Sequence, residues 1–458
     1  MNMKKLLLTF VCFGLAFGAA AQDGKDSKTD KVKIKPYGFV RNYVNFDTRR
    51  TYTVVGGEYN MFPYDESWNG TPAQCDAMGV ERVDLNALPH VSLQALTTRF
   101  GLALEGPNVL GAATSGKVEA DFGGFGTTNT VLRLRLAFVK LHWANGMGLS
   151  QDLMVGQYWH PLSGDIMPDV LGMASGAPFR AHSRTPQLSY TLSTGGLGFT
   201  LSALYQLQYM YNGPSFANGV WSSVASTDFA HRALVPEAFV GVQYRGDRIY
   251  TQLGSTCQSL KPRTVGYKTV DVDGTPRTIA TPVNEWLTTF TPTFYFQYAD
   301  KGLSLKYRFI YAQNTSHVNQ LNGYAVTDVA ADGSWEYAPL RAAISYLNAA
   351  VGGKYRFNLF MGYMKNLGAG KDLYDFGNAQ AARYLIFMKG GEEFTHLNSA
   401  WRIAPSISYN LPHFNVGIEY EWTSCTFGDQ GRTGKVLLND NLHMVQNQRV
   451  CLLVKYNF

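Results

Sequence analysis

This chain is short of charge. Asp, Glu, Lys and Arg supply 16% of its 458 residues, against roughly 25% in an ordinary soluble domain, so the composition does not suit a soluble protein of this length. No run beyond residue 21 approaches the roughly 18 to 20 consecutive apolar residues that a membrane-spanning helix requires, which excludes a helical membrane protein. Acidic residues are the scarcer sign: 34 against 40 basic ones give a net charge of +6, or +4 without Lys4 and Lys5. No concentrated basic run accompanies this mild surplus, which excludes nucleic acid as a partner. Cysteine is scarce too, and Cys75, Cys257, Cys425 and Cys451 show none of the close Cys/His spacings of a zinc site. Cys75 and Cys425 fall in segments read as outward loops, where an oxidising compartment would permit a disulfide but sequence separation does not require one. Among nine histidines there is no His-Glu-x-x-His, and Gly-x-Ser-x-Gly does not occur. No cofactor is implied. Asp271-Val272-Asp273-Gly274 lacks the later carboxylate of a calcium loop, and Gly123-Gly124-Phe125-Gly126 opens no helix that would cradle phosphate.

What is present is aromatic and apolar: 27 Tyr, 27 Phe and 45% hydrophobic residues overall. Residues 1–21 read as a signal peptide, with Lys4 and Lys5, an apolar stretch from Leu6 to Phe17, and Ala19-Ala20-Ala21 before Gln22. Cys12 stands behind Thr9-Phe10-Val11, not behind small residues, so no lipid anchor is expected. Residues 22–33 are charged and read as a disordered periplasmic lead-in. The final segment places Val450, Leu452, Val454, Tyr456 and Phe458 on one side and Lys455 and Asn457 on the other. Alternation of this kind, ending on an aromatic residue, suits a strand with one face on lipid and one on a lumen.

The same period recurs upstream, and about sixteen strands are predicted, near 34–47, 91–105, 116–123, 129–144, 151–158, 183–194, 196–209, 235–245, 248–260, 284–298, 302–315, 341–356, 358–365, 397–410, 413–424 and 444–458. Short turns at Asn145-Gly146, Gly195-Gly196, Gly246-Asp247, Asp300-Lys301 and Leu411-Pro412 alternate with long connections, 48–90, 159–182, 210–234, 261–283, 316–340, 366–396 and 425–443. Short periplasmic turns alternating with long extracellular loops are the rhythm of a transmembrane antiparallel β-barrel. The expected architecture is all-β, one barrel over residues 34–458 in the bacterial outer membrane, with the lipid bilayer as its surroundings. No globular plug precedes it, which argues against an energy-coupled transporter.

Opposite the apolar parity, Arg41, Arg99, Arg133, Arg135, Lys306, Arg308, Arg402 and Arg449 are expected to face the lumen, with fewer acids, Glu119, Asp121, Glu419 and Glu421, beside them. In Leu132-Arg133-Leu134-Arg135-Leu136, three leucines outward leave both guanidiniums inward; an arginine on the lipid face costs roughly 2 to 4 kcal/mol at the midplane. A positive surplus on a pore wall favours anions, although the same charges could simply pair with one another and keep the lumen wet. The connection 159–182 combines Pro161, Asp165, Asp169, Pro178 and Arg180 with Ile166, Met167 and Leu171. It resembles the loop that folds into the lumen of trimeric porins, which would bring Asp165, Asp169 and Arg180 to a constriction with Arg133 and Arg135.

Ile34-Lys35-Pro36-Tyr37-Gly38-Phe39-Val40, Leu132-Arg133-Leu134-Arg135, Val155-Gly156-Gln157-Tyr158-Trp159 and Ser183-Arg184-Thr185-Pro186-Gln187-Leu188-Ser189-Tyr190 together resemble the DcaP-like family of outer-membrane porins. The resemblance covers residues 34–47 and 130–192 well. It implies a sixteen-stranded homotrimeric channel for small, often negatively charged solutes such as carboxylates, with arginines at the narrow point. The family's coiled-coil N-terminus is not visible, and Tyr158 and His160 replace smaller family residues. Function is therefore read as passive diffusion of small hydrophilic anions, not as an enzyme. Two alternatives stand beside it. One is an adhesin or assembly platform using Tyr59, Phe62, Tyr64, Asp65 and Trp68 of the first loop, which could equally cap its own barrel. The other is a barrel hydrolase, whose residues need meet only in space.

Overall fold

The computed structural model describes residues 31–124, 131–145, 148–164, 166–172, 176–217, 220–374, 386–388, 395–429 and 441–458. The signal segment, most of the lead-in and Asp165 lie outside the described residues. Sixteen antiparallel staves form one closed sheet. In chain order they are β1 (Lys33–Asp47), β2 (His90–Gln94 with Arg99–Val109), β3 (Ala112–Asp121), β4 (Arg133–Ala144), β5 (Leu149–Trp159), β6 (Arg184–Thr194), β7 (Leu197–Leu204) and β8 (Glu237–Arg245). The second half comprises β9 (Ile249–Leu260), β10 (Leu287–Asp300), β11 (Leu303–Gln313), β12 (Arg341–Gly352), β13 (Tyr355–Gly368), β14 (Thr395–Asn410), β15 (Phe414–Asp429) and β16 (His443–Asn457). Pairing of β1 with β16, from Phe39 opposite Asn457 to Asp47 opposite Arg449, closes the cylinder and leaves no open edge.

Alternation explains why these segments are staves. Along β10, Leu287, Thr289, Thr291, Thr293 and Tyr295 are buried inside while Thr288, Phe290, Pro292 and Phe294 face out. Val139, Val155, Val240, Leu253, Leu347 and Ile418 continue an exposed apolar belt on other staves. Leaving such side chains in water costs roughly 1.5 to 3 kcal/mol each, so the belt belongs in hydrocarbon. The turn Gly195-Gly196 between β6 and β7 has φ of 54° and 85°. Positive φ at both central residues matches the twist of a two-residue hairpin and favours glycine.

Three local expectations are corrected. The segment predicted as one strand at 91–105 is broken at 95–98; there Thr98 Oγ1 accepts the Arg41 backbone N–H at 3.2 Å and so satisfies a donor the ladder leaves over. Leu132 and Leu134 face lipid, 60% and 50% exposed, but Leu136 is only 6% exposed. A bulge, in which Glu119 pairs with Leu136 and Ala120 with Leu134, places Arg135 and Leu136 both inward. Cys425 lies on β15 and not in a loop; it and Cys75 are both buried, unpaired thiols.

The inside is also less wet than expected. Apolar residues on the inner face of the outer half, among them Ile310, Ile344, Phe360 and Phe427, pack with Leu162 and Phe179 of the connection 160–183 and with Tyr59, Met61 and Phe62 of the first loop. Those first-loop residues belong to a hairpin, Thr51–Val54 with Tyr59–Pro63, whose second strand is wholly buried. This part of the barrel's interior is therefore a packed core.

Candidate pore constriction

Six staves, β1, β2, β4, β11, β14 and β16, carry the basic wall. On β4, Arg133 forms a bidentate pair with Asp121 of β3, Nε to Oδ1 at 2.9 Å and Nη2 to Oδ2 at 2.8 Å. Arg135 donates to Glu119 at 2.7 Å and to Asp121 at 2.6 Å. Arg99 on β2 reaches Glu119 at 3.5 Å, and Tyr37 donates to the same carboxylate at 3.0 Å. The bulge that aims Arg135 inward frees two backbone carbonyls, and Gln157 Nε2 bonds both, Leu134 O at 2.7 Å and Arg135 O at 3.0 Å. Its neighbour Gly156 sits at φ 128°, and a Cβ there would meet Ala137 O at 2.2 Å. Gly156-Gln157 is thus the device that lets β5 pack against the bulge.

The connection 160–183 crosses the lumen and is held by the opposite wall. Arg308 donates to Ser163 O at 2.7 Å and Pro161 O at 3.0 Å. Lys306 donates to Met167 O at 2.7 Å, and Arg402 to Ala177 O at 2.9 Å. Arg41 donates to Leu171 O. Glu419 accepts the backbone N–H groups of Leu171 at 2.8 Å and Gly172 at 3.2 Å. Asp169 bridges Lys306 at 3.3 Å and Arg356 at 2.9 Å. Phe179 fills the hollow over Gly362, where a Cβ would lie 2.3 Å from its ring.

The wall residues named from sequence thus fall into groups. Arg308, Arg402, Lys306 and Glu419 anchor the loop. Glu421 accepts from Asn60 of the first hairpin at 3.1 Å and lies 3.5 Å from Arg402, so it holds that hairpin. Arg449 pairs with Asp47 across the β1/β16 seam at 2.8 and 2.9 Å. Arg41, Arg99, Arg135 and Arg180 come together, with Trp159, Met167 and His182, around a cavity of about 200 Å³. Arg133 stands behind Arg135 and reaches Glu58 at 3.7 Å.

Several residues of this region were not assigned from sequence. Arg184, on the quoted Arg-x-Pro-Gln segment, is fully buried; its Nε donates to Gln208 at 3.1 Å while Nη1 and Nη2 meet no hydrogen-bond partner among the described residues. Arg180, which the sequence did assign to the constriction, likewise leaves Nε and Nη2 without a hydrogen-bond partner among the described residues. The guanidiniums of Arg135, Arg180 and Arg184 lie 5.8, 5.5 and 4.8 Å from the Trp159 ring, whose face attracts cations. His182 is braced by Tyr59 Oη at 2.9 Å. Among the described residues, Arg41, Arg99, Arg133, Arg135, Arg180 and Arg184 meet in this region; Glu119 and Asp121 pair with Arg99, Arg133 and Arg135, and Glu58 lies beside Arg133. Trp159 also borders a second cavity of about 540 Å³, whose β6 and β7 wall is hydroxyl and amide, including Gln187, Ser189, Thr191, Thr200 and Ser202. Lys140, Asp152 and Arg245 border it as well, so a polar cavity adjoins an arginine-rich chamber.

Comparison with known proteins adds the following. No family model matches the sequence, and no curated protein matches it. Among solved structures the chain is similar to the outer membrane channel DcaP of Acinetobacter baumannii, at 15% identity and TM-score 0.58, over 95% of this chain and 100% of that one. OmpT, an outer-membrane protein of Vibrio cholerae, aligns at 10% identity and TM-score 0.47 over 95% and 100%. An anion-selective porin from Comamonas acidovorans aligns at 12% and 0.47 over 93% and 100%. The fold is porin-like. A closed barrel of this kind, with an apolar belt, resides in the bacterial outer membrane.

Proposed function

We propose that the chain is a passive outer-membrane channel for small hydrophilic solutes, with a preference for anions such as carboxylates, and that it is not a hydrolase. The observation carrying this reading is the pair Arg180 and Arg184, whose buried guanidinium nitrogens meet no hydrogen-bond partner among the described residues, beside a cavity lined by Arg41, Arg99, Arg135 and Arg180. A buried donor left unpaired costs roughly 1 to 3 kcal/mol, more when charged, so these nitrogens are poised to bond a passing anion. Arg41, Arg99, Arg135 and Arg180 form the constriction, and Asp169 and Asp165 belong to the loop that shapes it. Membership of the DcaP-like family and assembly as a homotrimer are parts of the same reading. Liposome swelling tests it: small carboxylates should enter faster than neutral sugars of similar size, and equal rates, or no swelling at all, would overturn it.

The surface-binding alternative keeps one observation in its favour. The hairpin Val265–Val272 with Thr275–Pro282 is largely exposed and stands apart from the barrel sheet.

A further inference from the structure

At the root of the lumenal loop, three groups from separate parts of the chain converge. His160 follows β5, Glu237 opens β8, and His317 lies in a single 3-10 turn, Ser316–Val318, after β11. All three are buried. Glu237 Oε2 lies 3.2 Å from His160 Nε2 and 3.1 Å from His317 Nε2, and the ligand atoms of all three fall within 4.8 Å of one another. Bonds of about 2.0 to 2.1 Å in a tetrahedral arrangement place neighbouring donor atoms roughly 3.3 to 3.4 Å apart, close to both separations.

Hydrogen bonding serves the His160 arm of this cluster, whose Nδ1 accepts the Leu162 amide and whose Nε2 faces Glu237, but not the His317 arm. Gln258 Nε2 faces Glu237 Oε2 at 3.4 Å and His317 Nε2 at 3.3 Å. If His317 Nε2 accepts from that amide, its lone pair also faces the carboxylate; if it carries a proton, it opposes the amide hydrogens. Glu237 Oε1 and His317 Nδ1 are buried with no hydrogen-bond partner among the described residues. A cation between the three groups resolves the first conflict and gives the carboxylate its missing contact. Rotating the Gln258 amide by half a turn would offer its oxygen as a fourth ligand atom, in exchange for the hydrogen bond that oxygen now accepts from Asn314 Nδ2 at 3.4 Å.

We propose that His160, Glu237 and His317 form a structural site for a divalent transition metal of the zinc class. Two imidazoles and a carboxylate suit such an ion better than calcium or magnesium, which prefer all-oxygen shells. The metal ties the start of the connection 160–183 to β8 and to the outer loop that follows β11. Binding through His160 Nε2 leaves the ring proton on Nδ1, which now accepts the Leu162 amide at 3.2 Å. The 160–164 turn therefore shifts when metal enters, coupling occupancy to the loop's position. None of this depends on the ion preference of the channel.

Tag-free full-length protein refolded in detergent with zinc chloride, then passed through a desalting column, should retain about one zinc per chain by mass spectrometry. E237Q and H160N should each retain at least tenfold less while keeping the heat-modifiable gel mobility of a closed barrel. Cobalt(II) in place of zinc should give the intense visible absorption of a tetrahedral site in the unaltered chain and not in E237Q. Retention below a tenth of an equivalent in the unaltered protein, or equal retention in the unaltered protein and both variants, would overturn the proposal.

Discussion

Replacing Phe179 with alanine isolates how the loop is held. The side chain is 1% exposed, lies 6.4 Å from the Phe360 ring, sits over Gly362, and has the Arg402 guanidinium 5.6 Å from its centroid. Truncating a buried phenylalanine costs about 3 to 5 kcal/mol. Because Gly362 has no side chain to fill the hollow, the upper part of that range applies. The barrel hydrogen bonds do not involve Phe179, so the loss falls on docking of the connection 160–183, an equilibrium shift of roughly three to three and a half orders of magnitude. Hydrogen bonds from Arg308, Lys306 and Arg402 keep the loop mostly in place, but undocked states become populated. Single-channel recording of F179A in planar bilayers should therefore show frequent larger-conductance substates, while heat-modifiable mobility stays that of a folded barrel. A trace with the same conductance and the same noise as the unaltered protein would refute the claim that this packing holds the loop across the lumen.

Further outcomes follow from other contacts. Gly156→Ala places a Cβ 2.2 Å from Ala137 O at a φ that L-residues rarely adopt, so refolding yield into detergent should fall severalfold. Asp47→Asn weakens a buried pair in which Arg449 and Asn447 both donate to Asp47; breaking such pairs costs about 3 to 5 kcal/mol, visible as a lower guanidinium midpoint. Burial pushes the Glu58 carboxyl up to about 7, against the lowering influence of Arg133, Arg135 and Arg184 and with Asp121 adding to the rise. Since a raised carboxyl is neutral below that value, going from pH 8 to pH 6 removes one negative charge from the chamber. Anion preference should increase over that interval, and E58Q should abolish the change.

The barrel was legible because its signal is local. Alternation in segments such as Leu303–Gln313 needs no knowledge of neighbouring strands, and lipid outside forces the same parity on each stave. What escaped was set by pairing and tertiary packing. Leu136 follows the arginine alternation in sequence, yet a bulge decided by its partner β3 turns it inward. Ala342-Ala343-Ile344 carries apolar residues on both parities, a sign that the inner face there meets packed loop and not water. Arg184 was in view within its motif, but that both its terminal nitrogens end without hydrogen-bond partners among the described residues depends on what surrounds it in space. The charged wall was read as a lining, whereas Arg308 and Arg402 spend donors on loop carbonyls. The first-loop aromatics Tyr59 and Phe62 are buried inside the barrel mouth, while Trp68 remains exposed with Arg82 stacked on it at 4.0 Å. Composition cannot separate those fates.

The central claim is tested most directly by the reversal potential of the reconstituted protein in a tenfold potassium chloride gradient. Chloride should dominate the current, and replacing Arg180 and Arg184 together with glutamine should move the potential toward zero. A cation-selective reversal potential in the unaltered protein would contradict the account.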